Sequence, residues 1–288
     1  MRVKFIPIIL CGLFAVACSK SSTPNDLHPE YTHLGVMSYP EKMTYYEGEC
    51  FDPTGLVISG YTSDDVAEAI YYDVHPEYFT FTPSLTTPLT TADRTVFVKY
   101  KTTHLKVGIN IAVLEEGAET FTMNIDFSAA PKTNSGNDSS FVQKICSIFE
   151  NNGNEVTAFN YDGFIQINEN SQTTIESTIK ETVLMLGNAT GGGELNYCFS
   201  YRLISIELVV RAHMKLYVQQ GTQMISSDDN SKLYVNGTSW SLPTPTVDNH
   251  ELQTRSFLIN NTELSLSVDD VQKGRVWIFS ASLVFAVS

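Results

Sequence analysis

Basic residues are scarce in this sequence. Its 288 residues include 18 lysines and arginines but 32 aspartates and glutamates, which gives a formal net charge of −14 at pH 7. Such an acidic surface repels phosphate backbones, so we expect no nucleic acid partner. The charge also argues against docking on anionic lipid through a basic patch. Hydrophobic residues make up 42% of the chain, which is enough to build packed cores.

Motifs of several enzyme classes are absent as well. The six histidines form no i, i+4 pair and no HExxH motif, which excludes a zincin, and no GxSxG nucleophile elbow occurs. The glycine-rich stretch 187–193 lacks the Lys-Ser/Thr of a phosphate-binding loop, so we interpret it as a turn between strands. We therefore expect no catalytic residue, no metal centre and no cofactor. A glycosidase carboxylate pair cannot be recognised in one sequence, so a cryptic extracellular hydrolase remains an alternative.

The N-terminus has the pattern of a secretory signal peptide. Two cations, Arg2 and Lys4, precede an apolar stretch over 5–14, which is followed by small residues. This stretch is too short to cross a bilayer, which takes roughly 20 residues. The segment Ala15-Val16-Ala17-Cys18 resembles a bacterial lipobox.

The lipobox resemblance implies that residues 1–17 are removed and that Cys18 is lipidated. Its acyl chains would hold the exported protein in the membrane, facing outward from the bacterial cell envelope. An ordinary secreted protein, in which Cys18 is incidental, is the alternative. Residues 18–30 are polar and poor in helix formers, so we expect a flexible tether there.

Three cysteines remain besides Cys18 and Cys11, which lies in the signal peptide. Because this number is odd, a disulfide framework is not indicated. A bridge between Cys146 and Cys198 is one alternative after export, and buried free thiols are the other. The absence of CxxC argues against a zinc ribbon or a thioredoxin-like site.

Residues 31–115 have the pattern of a small β-sandwich. Short runs of alternating apolar residues, such as 95–100 and 107–113, are separated by frequent turn residues. About 80 residues is a suitable length for one such domain. Gly48 and Gly55 lie where turns need a permissive backbone, and Asp52 can bond local amides in the same turn.

The segment 40–58 also resembles a known family. It follows the pattern P-x-K-x-x-Y-x-x-G-E-x-F-D-x-x-G-L-x-V of bacterial immunoglobulin-like (group 3-type) repeats. The residues in register are Lys42, Tyr45, Gly48, Glu49, Phe51, Asp52, Gly55 and Leu56. The resemblance implies an immunoglobulin-like domain that acts as a spacer or adhesive unit, with Tyr45, Phe51 and Leu56 in its core.

An acidic hinge at 115–119 marks the predicted boundary to a second, larger domain over 120–288. A strand is predicted at 121–127, and apolar spacing predicts one short helix at 141–151, capped by Ser139 or Ser140 and stopped by Gly153. Nine further strands favour a jelly roll or a related sandwich. These are predicted at 163–167, 181–186, 193–199, 203–210, 216–219, 232–235, 251–259, 264–268 and 275–287.

Several stretches of this second region resemble C-terminal jelly-roll modules of bacterial extracellular proteins. The matching stretches are 184–195, 204–212, 233–237 and 274–283. Those modules are similar to carbohydrate-binding sandwiches. The overall expectation is therefore an all-β chain, with an immunoglobulin-like sandwich followed by a larger jelly-roll-type sandwich that carries one short helix.

Two tryptophans and two acidic clusters are the candidate site residues. Trp240 lies near a predicted turn at Asn236-Gly237, where it can stack on a sugar face or pack into the core. Trp277 lies mid-strand and is predicted to be a core residue. The clusters 228–231 and 269–270 are predicted to be solvated turns, with a structural calcium ion as the alternative.

These observations predict a non-catalytic, lipid-anchored surface protein. Its second domain would bind an extracellular glycan or a host or envelope protein, with Trp240 as the candidate contact. A purely structural or adhesive envelope protein without a specific small ligand is the alternative. Solvent-exposed aromatic side chains on a concave face would favour ligand binding over that alternative.

Overall fold

The computed structural model describes residues 31–101, 104–151 and 153–287. The fold is all-β with a single α-helix in these ranges, which confirms the predicted fold class. The predicted signal peptide, Cys18 and the tether lie outside the described residues. None of the helices in the described part of the chain has the length and apolar character needed to cross a membrane.

The N-terminal sandwich contains two three-stranded antiparallel sheets. Its strands are β1 (His33–Ser38), β2 (Thr44–Tyr46), β3 (Val57–Tyr61), β4 (Ala67–Tyr71), β5 (Phe79–Thr82), β6 (Thr95–Tyr100), β7 (Lys106–Asn110) and β8 (Ala112–Leu114). One sheet has the order β1-β3-β4 and the other β5-β6-β7, while β2 pairs in parallel with β8. A short 3-10 helix, Pro76–Tyr78, precedes β5.

The core of this sandwich is built around a buried tyrosine. Tyr45, Phe51 and Leu56 are all buried, as predicted. The Tyr45 hydroxyl donates to the carbonyl of Lys42 at 2.8 Å and accepts from the amide of Asp52 at 3.2 Å. Burial, the largest influence, raises the pKa of Tyr45 to about 12. The hydroxyl therefore stays protonated at neutral pH and joins β2 to the following loop.

The loop after β2 also forms as the pattern predicts. Gly48 has φ +92° and Gly55 has φ +81°, backbone conformations that favour glycine over other residues. Asp52 Oδ1 accepts a hydrogen bond from the Thr54 amide at 3.0 Å. These interactions set the turn that leads the chain into β3.

The C-terminal sandwich is larger. Its elements are β9 (Glu119–Asp126), β10 (Thr133–Asn134), α1 (Phe141–Ile148), β11 (Val156–Gly163), β12 (Ile165–Thr173), β13 (Thr178–Leu186), β14 (Gly193–Ala212), β15 (Met214–Gln219), β16 (Thr222–Ser227), β17 (Lys232–Val235), β18 (Thr238–Ser241), β19 (Gln253–Val268) and β20 (Val276–Val287). A 3-10 helix, Phe127–Ala129, follows β9. Ten of the strands form one sheet with the order β10-β12-β13-β20-β14-β19-β17-β18, in which β11 also pairs with β14 and β9 with β20.

Alternation along these strands separates two faces of the large sheet. Leu184, Leu186 and Ile278 belong to the main core, which also receives the buried side of α1. Their sequence neighbours Val183, Met185 and Trp277 form a smaller cluster on the other face. Strands β15 and β16 form a separate two-stranded hairpin, in which each pairs with the other and not with a strand of the large sheet. The prediction that Trp277 is a core residue is confirmed, since 1% of it is exposed.

Two strand predictions were wrong because bulges replace the expected turns. Residues 193–199 and 203–210 form one 20-residue strand, β14, whose register shifts between Cys198 and Leu203. The predicted turn at Asn260-Asn261 lies inside β19, where Asn260 has φ +50°. Asparagine tolerates this left-handed conformation, so the extra backbone bends the strand without ending it.

The helix prediction needs one correction. The helix α1 ends at Ile148, three residues before the predicted end at 151, and Phe149 is its C-cap. Ser140 is the N-cap residue, but its hydroxyl donates to Asp138 Oδ1 at 2.7 Å instead of accepting from a helix amide. The carboxylate of Asp138 competes for the side chain that normally caps the helix.

Cys50, Cys146 and Cys198 are free thiols, so no bridge joins Cys146 to Cys198. The expectation that they are buried was wrong for Cys50, which is exposed, while the other two are partly buried. Burial, with Glu150 as a smaller influence, raises the pKa of Cys146. Its thiol is therefore less readily ionised than that of an exposed cysteine.

The two sandwiches touch through a small apolar cluster. Ala112 and Leu114 of β8 are buried together with Ile204 of β14 and Ala286 of β20. The side-chain amide of Asn260 donates to the carbonyl of Ile111 at 3.4 Å. The bulge in β19 thus places a polar group at this contact.

Candidate binding cleft

A cleft of about 500 Å³ lies between the two sandwiches. Residues 39–44 form one wall, and parts of β18 and β19 form the other. We call it the Arg255 cleft, and its lining includes Tyr39, Glu41, Lys42, Asn110, Thr238, Arg255 and Phe257. Its size is within the range of small-molecule sites in proteins.

Arg255 is a cation held by aromatic rings. Its guanidinium carbon lies 4.9 Å from the ring centroid of Phe257 and 6.0 Å from that of Trp240. Nη1 donates a long hydrogen bond of 3.5 Å to the carbonyl of Ser239. Within the described ranges, no carboxylate lies within 4 Å of this side chain to form an ion pair. Cation–π contacts position such a guanidinium but leave most of its five donors available.

Trp240, which belongs to β18, lies beside Arg255 of β19. Its ring is tilted against Phe257 at a centroid distance of 5.9 Å, and it is partly exposed. The turn that presents it is the predicted Asn236-Gly237 turn, with φ +46° and +79°, which joins β17 to β18. Both central residues have positive φ, as in a type I′ hairpin. Trp240 does not line the cleft itself, so its ligand-binding role stays a prediction.

The opposite wall carries an exposed aromatic ring and a paired cation. Tyr39 is 49% exposed. Lys42 Nζ lies 2.9 Å from Glu49 Oε1, and the Tyr46 amide donates to Glu49 Oε2 at 2.7 Å. These two hydrogen bonds, with the one from Lys42 the stronger influence, lower the pKa of Glu49. Lys42 is therefore partly neutralised, and Arg255 is the cation with free donors.

The chemistry of the cleft suits binding. Among its lining residues in the described part of the chain, Glu41 is the only carboxylate. A glycoside-hydrolase mechanism uses two convergent carboxyl groups. The side chains present can instead stack on a ring and donate hydrogen bonds to hydroxyl or carboxylate oxygens.

Sequence reasoning identified Trp240 but missed Arg255. The signal that could have found Arg255 is its position two residues before Phe257 in a predicted strand, since residues at i and i+2 share a face. An arginine on an apolar face of a strand needs a partner or a function. The contribution of residues 39–44 carries no signal in the sequence, because it depends on how the two sandwiches meet.

The acidic clusters are part of the scaffold. The prediction of a solvated turn was wrong for Asp228, which is 2% exposed. Arg275 donates to it from Nε at 2.8 Å and from Nη2 at 2.7 Å. In the second cluster, Asp269 accepts from the Tyr234 hydroxyl and Asp270 from the Gly192 amide. No group of three His, Cys, Asp or Glu side chains in the described ranges could hold a metal ion.

No protein-family model matches this chain, and no curated protein matches it either. The resemblances to bacterial immunoglobulin-like repeats and to jelly-roll modules therefore stay predictions from the residues.

Proposed function

We propose that this chain is a non-catalytic, lipid-anchored surface protein that binds an extracellular glycan in the Arg255 cleft. Acyl chains on Cys18 hold it on the outward side of the cell envelope. The N-terminal sandwich serves as an immunoglobulin-like spacer and forms one wall of the cleft, and the C-terminal sandwich provides the other.

The state of Arg255 is the observation that carries this proposal. An arginine stacked on rings, with no carboxylate partner within reach among the described residues, is ready to donate to an oxygen-rich ligand. Trp240 and Tyr39 are partly exposed aromatics near the same opening. Sugar rings present both apolar faces and hydroxyl groups, so a cleft with both kinds of contact suits a glycan.

The test of ligand binding is a glycan array probed with the purified full chain. We expect binding to a defined set of glycans, and a loss of at least about tenfold in affinity for Arg255→Met, as for removal of hydrogen bonds to a charged group. Arg94→Met is the matched control, because Arg94 is exposed and does not line the cleft. Binding to no glycan, together with clear binding to a host or envelope protein, would contradict the glycan proposal.

The test of anchoring is labelling with a radioactive or clickable fatty acid in a bacterial host. The chain is expected to incorporate label and to fractionate with membranes, whereas Cys18→Ser is expected to do neither. Label in the Cys18→Ser variant, or an unprocessed start found by mass spectrometry of the natural chain, would contradict it.

A further inference from the structure

A second cavity lies on the face of the large sheet opposite the main core. It has a volume of about 280 Å³ and is lined by β12, by the start of β15 and by Trp277 of β20. It shares no lining residue with the Arg255 cleft. We call it the Trp277 cavity. Its volume is just below the range of about 300–1,000 Å³ that is usual for ligand sites, which favours a single small molecule over a chain.

The hairpin of β15 and β16 is fixed against β12 by a buried glutamine. Gln172 Oε1 accepts from the Leu216 amide at 2.8 Å, and its Nε2 donates to the Met214 carbonyl at 3.3 Å. Gln223 makes a similar pair of contacts with the amide of Ile175 and the carbonyl of Thr173. These hydrogen bonds hold the β15–β16 hairpin in one position, so the wall of the cavity that it provides is fixed.

The buried ion pair of Arg275 and Asp228 supports the wall next to Trp277. The His213 ring meets the Trp277 ring edge to face at 5.0 Å, and His213 Nδ1 lies 3.3 Å from Asp228 Oδ1. Arg275 donates to Asp228 through two nitrogens. Because Asp228 is occupied in this way, it holds the histidine in place and is not available to a ligand.

Three buried nitrogens of the lining lack a hydrogen-bond partner in the part of the chain that the structure describes: Trp277 Nε1, the Asn170 side-chain nitrogen and His213 Nδ1. The first two are donors, whereas His213 Nδ1 faces Asp228 at 3.3 Å without hydrogen-bond geometry. Nε of Arg211, whose guanidinium lies 5.5 Å from the Trp277 ring, is a further unpartnered donor behind the lining. Buried polar groups without partners are rare and costly, so these donors are candidates for contact with a bound molecule.

Positive charge is concentrated near the opening. Glu169 of the lining is bound by both Lys132, at 3.4 Å, and Lys180, at 2.9 Å, and Lys215 is an exposed residue of the lining. Two lysines thus bind the one carboxylate of the lining, and Lys215 adds a further cation, in a chain whose net charge is −14. The local field attracts anions, although the protein as a whole repels them.

We propose that the Trp277 cavity binds a small carboxylate-bearing molecule, up to the size of one acidic monosaccharide. The oxygens of the ligand accept from Trp277 Nε1 and from the Asn170 amide, and the lysines near the opening balance its charge. An acceptor-rich anion satisfies both features of the cavity, whereas a neutral molecule of the same size satisfies only the first.

The chain has only two tryptophans, so its NMR spectrum contains two indole N–H signals that report on the two candidate sites separately. The full chain, purified in detergent, is titrated with glucuronate and with glucose, a neutral sugar of similar size. Trp277→Phe and Trp240→Phe assign the two signals. Glucuronate at about 10 mM, which exceeds the dissociation constant of a weak millimolar complex, is expected to shift the Trp277 signal, while glucose leaves it unchanged.

Variants then test the donors. Asn170→Ala is expected to weaken glucuronate binding about tenfold, as for removal of one hydrogen bond to a charged group. Tyr197→Phe is the matched control, because the Tyr197 hydroxyl is also buried and unpartnered but lies in the main core. It is expected to bind glucuronate as the unchanged chain does.

Four results would overturn the proposal. An equal shift with glucose would show that charge is irrelevant, and no shift with either sugar would mean that the donors bond water only. An equal loss in Asn170→Ala and Tyr197→Phe would indicate a general effect on folding. A shift confined to the Trp240 signal would also overturn it, while leaving the proposal for the Arg255 cleft intact.

Discussion

Arg275 donates two side-chain hydrogen bonds to the carboxylate of Asp228, at 2.8 and 2.7 Å, although the two residues are 47 positions apart in the sequence. Asp228 lies just after β16 and Arg275 just before β20, so this pair ties the hairpin of β15 and β16 to the large sheet. The carboxylate is 2% exposed. A buried charge of this kind is tolerable only while its partner is present.

Removal of the Arg275 side chain is expected to destabilise the fold. Arg275→Met leaves the Asp228 carboxylate buried with only His213 and the backbone amide of residue 275 beside it, and should lower the free energy of unfolding by about 3–5 kcal/mol. Urea denaturation at pH 7 measures this. Lys132→Met removes an exposed partner of Glu169 and serves as control, with an expected change below about 1 kcal/mol. Equal losses in the two variants would contradict the buried-pair argument.

The same carboxylate predicts a pH dependence. Burial on its own would raise the pKa of Asp228, but the interactions with Arg275 and His213 outweigh it and hold the pKa well below the usual range. The unfolded chain, with a pKa near 3.9 at this residue, binds the proton first as the pH falls. The stabilisation is therefore complete above about pH 5 and is lost progressively below it.

Urea denaturation of the unchanged chain and of Asp228→Asn between pH 7 and pH 3 checks this dependence. The difference in stability between them should be largest at pH 7 and should shrink below about pH 4. Asp64→Asn, at an exposed position, should follow the unchanged chain throughout. A difference for Asp228→Asn that stays constant over this range would refute the assignment.

In the N-terminal sandwich, Tyr45→Phe is expected to cost about 1–2 kcal/mol, because the Lys42 carbonyl and the Asp52 amide each lose a partner. Thermal or urea unfolding followed by circular dichroism measures the change. Tyr46→Phe, at the exposed neighbouring position, should stay within about 0.5 kcal/mol of the unchanged chain. A neutral Tyr45→Phe would mean that the ring alone stabilises this core.

Gln172→Leu tests the attachment of the hairpin. The variant keeps a side chain of similar size but leaves the Leu216 amide and the Met214 carbonyl without partners. Amide hydrogen exchange should become faster across β15 and β16, while β9 stays protected, because local opening needs only the hairpin to detach. Gln219→Leu, at an exposed position of β15, is the control. Unchanged exchange in Gln172→Leu would show that other contacts hold the hairpin.

Local patterns predicted much of the fold. Gly55 was placed correctly because turn chemistry acts over a few residues. Tyr45 and Phe51 were assigned to the core from the family resemblance and from their large apolar side chains. Strand β16 was missed because most of its side chains, such as Thr222 and Ser226, are polar, and polar strands show no apolar alternation. Strand β14 was divided because a bulge and a turn look alike in sequence.

The sites were harder to predict, for a physical reason. The cluster 228–231 has the composition of a turn, and the partner that buries Asp228 is distant in sequence. The Arg255 cleft joins residues 39–44 to β19, and the Trp277 cavity joins β12 to β15 and β20. Each site depends on pairings between distant segments, which periodicity within a short window does not record.

The position of β14 in the large sheet has a consequence for the order of folding. This strand is flanked by β19 and β20, which follow it in the sequence by at least 40 residues, and by β11 at one end. Until β19 and β20 have been synthesised, the ladders that they form with β14 cannot be completed, and those edges of the strand stay unpaired. A nascent chain stalled before residue 253 should therefore aggregate or require a chaperone, even though the N-terminal sandwich has emerged in full.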